Sequence, residues 1–313
     1  MKPFLPVPDP VAFTVFGLDI MWYAVMITLG IVAGGYLLCK RAPTRGYTDD
    51  NALDMILYTV PVAVIFSRLY YVIFEWGYYS EHPDQILNFR GGGLAIHGAI
   101  IAVIIMALLL CRIKKQNVLD WIDLAFPGIA LGQAIGRWGN YFNSEAHGTP
   151  TDLPWHILCD GELVHPTFLY ESIWCFLLCA FLLWLDGRNL RSGKGFKGQI
   201  VCLYGMLYSV ERFFVEGLRT DSLYLDAART IRQAQVISVG IFAVCLVLYF
   251  YLKKKEWPVK EDAAETEALD EAANADETSE PVPEAEASDE AAGAEDANNA
   301  ASVPPSPDGE KNA

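Results

Sequence analysis

Several apolar runs of about 17 to 22 residues constrain this chain more than any other feature, because that is the length at which a helix crosses the bilayer hydrocarbon. A water-soluble fold has no use for that many. Within hydrocarbon each backbone amide must be bonded inside its own segment, so the runs read as helices. The expected spans are Ile20 to Leu38, Met55 to Phe74, Leu94 to Leu110, Leu119 to Arg137, Phe168 to Leu185, Ile200 to Phe214 and Val236 to Leu252. The fold class is therefore an all-α integral membrane protein, a bundle of about seven transmembrane helices. The fourth span is the least apolar, and its Pro127, Gly128, Gly132, Gln133 and Gly136 imply enclosure by other helices. Gly128, Gly132 and Gly136 place three positions without side chains on one face, which permits close approach of a helix or a lipid chain.

A formal net charge of −15 over 313 residues misleads here. Of 38 acidic residues 18 lie from Glu256 onward, leaving 20 against 21 bases in residues 1–255. That body reads as one membrane domain, and residues 256–313, rich in Ala, Glu, Asp, Pro and Ser, read as a disordered acidic tail. Six of seven cysteines fall in or beside apolar runs and only Cys159 sits in a long polar loop. No spacing among them suggests a disulfide framework or a zinc site.

Basic residues set the expected orientation. Thirteen loop bases fall on one side, among them Lys40, Arg41, Arg45, Arg112, Lys197 and Lys253, against Lys2, Arg90, Arg219, Arg229 and Arg232 on the other. The bias puts the N-terminus outside and the C-terminus with its acidic tail in the cytoplasm. The first run is followed by bases and lacks a cleavable-signal pattern.

In that topology His97, Arg137, Asn140, Glu145, His165, Glu171, Arg212, Glu216 and Arg219 gather near the outer ends of their spans, with Arg68 somewhat deeper. Charge is costly in a bilayer, so this convergence on one face marks a site. Tyr208, Arg212, Glu216 and Arg219 line one helical face. They form either an ion-pair ladder or a fork of guanidinium donors for phosphate. The stretch from Gly136 to Gly148 supplies Arg137, Asn140, Asn143 and Glu145, a set able to surround an anionic headgroup. Asp54, Asp120 and Asp123 read as helix starts.

The pattern Gly-Arg-x-x-Asn-x-x-Asn-x-Glu-x-x-Gly at 136–148 resembles the signature of the bacterial prolipoprotein diacylglyceryl transferase family. Trp22-Tyr23, Gly-Gly-Leu-Ala-Ile-His-Gly at 92–98, His-Pro-Thr-x-Leu-Tyr-Glu at 165–171 and Arg-Phe-Phe-Val-Glu-Gly-Leu-Arg at 212–219 look like the family's other motifs, in order. Ala99 stands where a second glycine is common, and the acidic tail lies outside the pattern. The resemblance implies a multi-pass protein of the bacterial inner membrane with a small extracytoplasmic head, matching residues 141–164. It also implies transfer of the diacylglyceryl group of phosphatidylglycerol to the lipobox cysteine of a prolipoprotein signal peptide, giving a thioether and glycerol phosphate. The implied partners are thus phosphatidylglycerol, the prolipoprotein and membrane lipids, with no nucleic acid.

Such a reaction needs a base for the thiol proton and cations for the departing phosphate. Arg137 and Arg212 suit the second task, because guanidinium stays charged and matches phosphate geometry. His97 suits the first. Tyr23 belongs with the catalytic group as headgroup positioner and as the next candidate base. Arg137, Asn140, Asn143, Glu145, Gly148, Tyr208, Glu216 and Arg219 are the expected substrate-binding residues. No carboxylate cluster suggests a metal, and neither metal nor cofactor is expected. The alternative is a polytopic transporter of an anionic lipid or solute, which would usually carry paired interrupted helices and an internal repeat.

Overall fold

The computed structural model describes residues 3–89, 92–226 and 230–255. The acidic tail lies outside the described residues, as do Lys2, Arg90 and Arg229 of the orientation count. Each of the seven expected spans holds a helix, two of them starting two residues later than expected: α1 (Trp22–Arg41), α2 (Asp49–Phe74), α4 (Ile96–Ile113), α5 (Val118–Phe142), α6 (Thr167–Ser192), α7 (Gln199–Leu218) and α8 (Gln233–Lys254). A short α3 (Trp76–Glu81) follows α2. Six of the long helices are long and apolar enough to cross a membrane, which makes this a multi-pass membrane protein. The exception is α7, whose 20 residues span about 30 Å but carry Glu211, Arg212 and Glu216.

Enclosure of the fourth span is borne out. In the most apolar window of α5, 44% of residues are buried, against 6% in α1 and in α8. α5 packs on α1 and α6, α2 on α4, and α7 on α8. The glycine stripe serves helix approach at two of its three positions. A Cβ on Gly128 would sit 2.7 Å from the Gly34 carbonyl oxygen, and one on Gly30 would lie 2.9 Å from the Gly132 oxygen. Two backbones meet there because neither helix carries a side chain.

Two features depart from the sequence reading. α5 runs on to Phe142, five residues past the expected end at Arg137, so Asn140 stands on the helix and the head begins after Phe142, not at Tyr141. Buried charge is also not confined to one end. At the opposite end Arg41 pairs with Asp186 at 2.6 Å, Arg45 with Asp186 at 2.6 Å and Asp120 at 3.2 Å, and Lys197 with Asp120 at 3.2 Å. These bases follow helix ends in the chain, but a 3-10 turn over Ala42–Arg45 folds Arg45 inward to meet carboxylates of α5 and α6. Asp123 starts no helix of its own. It accepts from the Gly198 amide at 2.7 Å and the Val201 amide at 3.0 Å, capping α7 from a neighbouring element.

Two small hairpins complete the fold at the Arg137 end. β1 (Val11–Val15) pairs with β2 (Leu18–Met21) just before α1, and β3 (Ile157–Cys159) pairs with β4 (Glu162–Val164) in the head. The head core is Tyr141, Ile157, Cys159, Val164 and Phe168.

Candidate active site

Glu171 organises the charged end of the bundle. It sits one turn into α6 with a side chain only 1% exposed, so its charge requires cations around it. Three arginines supply them. Arg137 Nη2 from α5 contacts Glu171 Oε2 directly, and Arg212 Nη1 from α7 and Arg219 Nη1 just beyond α7 each lie 3.7 Å from Oε1. Arg137 also reaches the Tyr208 hydroxyl at 3.5 Å. Arg212 pairs with Glu216 one turn on, at 2.7 Å. Of the ladder weighed from the sequence only the Arg212–Glu216 rung forms, since Arg219 turns to Glu171 and Asp221 instead. The Arg212–Glu216 pair holds the side chain, while buried Nη1 makes no hydrogen bond among the described residues.

Beside these guanidiniums lies a cavity of about 740 Å³ between α1, α2, α5 and α7. Tyr23, Arg137, Asn140, Tyr208 and Arg212 line its polar end. Along α1 and α5 the wall is Gly30, Ile31, Gly34, Leu38, Ile129 and Gly132. From Tyr23 to Leu38 this path runs about 22 Å at 1.5 Å per residue. The arrangement is amphipathic: donors at one end, a glycine-lined apolar slot behind them.

The loop after α5 adds an ordered rim. Asn140 Nδ2 donates to Glu145 Oε1 at 2.8 Å and Asn143 Nδ2 reaches the same oxygen at 3.5 Å. Gly148 does structural work: its amide donates to the His165 carbonyl at 2.9 Å, it bridges to Arg219, and a Cβ there would meet His165 Cβ at 2.6 Å. Arg219 is held in a two-point contact with Asp221, at 2.8 and 2.6 Å. That bond holds the Asp221 carboxyl below the usual carboxylate range.

The structure brings together Tyr23, Arg137, Asn140, Tyr208 and Arg212 at the cavity, with Glu216 and Arg219 supporting them. His97 is exposed at the start of α4, where its ring stacks on Tyr70 at 5.6 Å. It is not among the cavity's lining residues, although Ile96 beside it is. Arg68 is spent on backbone, donating to the carbonyls of Gln85, Ile86, Gly92 and Gly93 at 2.6 to 3.0 Å, and so fastens the loop ahead of α4. Two acids were given no role in the reading from sequence, although Glu171 was counted in the set that converges near the outer ends. One is Glu171, whose signal was a carboxylate inside an otherwise apolar run. The other is Glu211 beside Arg212, whose two buried oxygens make no hydrogen bond among the described residues.

A family model described as "Prolipoprotein diacylglyceryl transferase" matches residues 10–251. A curated relative from Finegoldia magna is 47% identical over 247 residues, covering 79% of this chain and 97% of the relative. One from Clostridioides difficile is 47% identical over 248 residues, covering 79% and 96%. One from Bacillus licheniformis is 41% identical over 262 residues, covering 79% and 94%. All three are named phosphatidylglycerol–prolipoprotein diacylglyceryl transferase. The transporter alternative has no counterpart among them.

Proposed function

The chain belongs to the prolipoprotein diacylglyceryl transferase family, and we propose that its two-ended cavity is where phosphatidylglycerol is held for transfer. It is an enzyme that moves the diacylglyceryl group of phosphatidylglycerol to a prolipoprotein. The observation that carries the site reading is the cavity itself, with two guanidiniums at one end and some 22 Å of apolar, glycine-lined wall behind them. A lipid phosphate fits the first and acyl chains the second.

In this reading Arg137 and Arg212 hold the phosphate, and Glu171 orients both forks before substrate arrives. Arg212 is held on both sides, Nη2 by Glu216 and buried Nη1 facing Glu171, so its guanidinium is fixed at the cavity before a phosphate arrives. The lipobox cysteine sulfur attacks the glyceryl carbon that bears the phosphoester oxygen. As the S–C bond forms the C–O bond breaks, and its electrons leave on glycerol phosphate, where the guanidiniums stabilise the developing charge. The thiol proton passes to His97, whose exposed ring beside cavity-lining Ile96 is open to a peptide arriving along the membrane. Tyr23 and Asn140 position the headgroup. The same reading puts the Arg137 end and the head outside the bacterial inner membrane and the Asp120 end in the cytoplasm, following the basic bias.

The test is the full chain reconstituted in vesicles with a lipobox peptide. Phosphatidylglycerol vesicles should yield the thioether-linked peptide and glycerol phosphate, and phosphatidylethanolamine vesicles should not. Equal yield from both lipids would overturn the reading that this cavity selects phosphatidylglycerol by its headgroup.

A further inference from the structure

Away from the arginines, the described residues bring one imidazole, one thiol and one carboxylate together in the head. His147 comes from the loop after α5, and Cys159 and Asp160 from the tip of the β3–β4 hairpin. One ligand atom of each lies within 4.8 Å of the others. Three local features prepare these atoms. The His147 ring presents Nδ1 to the Gly148 carbonyl at 3.3 Å, so the proton belongs on Nδ1 and the Nε2 lone pair is free. Nε2 in turn lies 3.9 Å from Asp160 Oδ2. The hairpin turns at Asp160 and Gly161, with φ of 50° and 85°, and this left-handed pair sets Cys159 and Asp160 side by side. Finally, the thiol is fixed and the carboxylate is free. Cys159 is 4% exposed with its Sγ donating to the Ser144 carbonyl at 3.4 Å, whereas the Asp160 side chain is 85% exposed.

We propose that His147, Cys159 and Asp160 form a Zn²⁺ site that fastens the head hairpin to the loop carrying Glu145. Thiolate, imidazole and carboxylate together select a borderline-soft ion over Mg²⁺ or Ca²⁺. Bond lengths of about 2.0 to 2.3 Å give tetrahedral edges of about 3.3 to 3.8 Å, so modest side-chain rotation closes the triangle. As the S–Zn bond forms, the thiol proton leaves to solvent and the hydrogen bond to Ser144 is exchanged for metal; water takes the fourth position. Glu145 lies between Ser144 and His147 in the chain, and lines the same small pocket as Asn140, His147 and Cys159. The ion therefore steadies the rim of the cavity without entering the reaction. Ligand spacing concealed this set, because the hairpin joins positions that no local Cys or His pattern relates.

The experiment uses the full chain purified in detergent, stripped with chelator and titrated with Co²⁺ and then Zn²⁺. One equivalent of Co²⁺ should give a thiolate-to-cobalt absorption in the near ultraviolet, and Zn²⁺ should displace it. Cys159→Ser should abolish the absorption and weaken Zn²⁺ binding at least tenfold. His147→Gln leaves the buried thiol in place and should weaken Zn²⁺ at least tenfold as well, so the result does not depend on one variant folding. No thiolate band in the unaltered chain, or an unchanged band in both variants, would overturn the proposal.

Discussion

A guanidinium and an ammonium carry the same charge, but Arg137 meets Glu171 and Tyr208 through Nη2 alone, and only a guanidinium has further nitrogens in a fixed plane to offer a phosphate. Arg137→Lys should therefore lower transfer by about 10²-fold or more while the chain still inserts, the scale of losing one preorganised donor. Near-normal turnover would reduce Arg137 to an interface anchor. His97→Gln separates binding from chemistry: phosphatidylglycerol should still bind, and single-turnover thioether formation should fail. A normal rate with a normal pH profile would move the base elsewhere, with Tyr23 next to test. Asp221 yields a pH prediction. Its hydrogen bonds from Arg219 hold the folded carboxyl below its unfolded value, so the stabilisation is present above about pH 4 and is lost as pH falls through the lowered folded value. The melting-temperature gap between the parent chain and Asp221→Asn should be constant near neutrality and close in acid. A gap that widened in acid would contradict the assignment.

Between helices the decisive contact is backbone on backbone. A methyl group on Gly128 would meet the Gly34 carbonyl at 2.7 Å, and a carbonyl in the middle of a helix cannot turn aside. Gly128→Ala should push α1 from α5 at a cost of about 1–3 kcal/mol, read as a lower midpoint in detergent unfolding. Because both glycines line the cavity, lipid binding should weaken in parallel. An unchanged midpoint would mean that the helices are not this close. α7 follows a different logic. Its charged face fits no hydrocarbon, and it is secured by the Asp123 carboxylate at its start and by pairing with Glu171 near its end.

Among the described residues, those that bond or line the arginine site lie between Tyr23 and Asp221. Deletion after Trp257 should therefore leave transfer in membranes unchanged, checked as turnover per inserted protein; lost turnover at normal expression would refute it. The spans were legible in one dimension because bilayer thickness imposes a length that composition cannot hide. Arg137, Arg212 and Tyr23 were legible because charge and polarity at such positions need a reason. Pairing was not legible. Glu171 serves arginines 34, 41 and 48 positions away, Asp123 caps a helix 75 positions on, and Arg45 turns inward to Asp120 and Asp186. Sequence periodicity assigns a residue to a helix face, but which face meets which is decided by packing. Here packing closed α1 on α5 through glycines, enclosed α5, and so left a cavity whose polar end the arginines line.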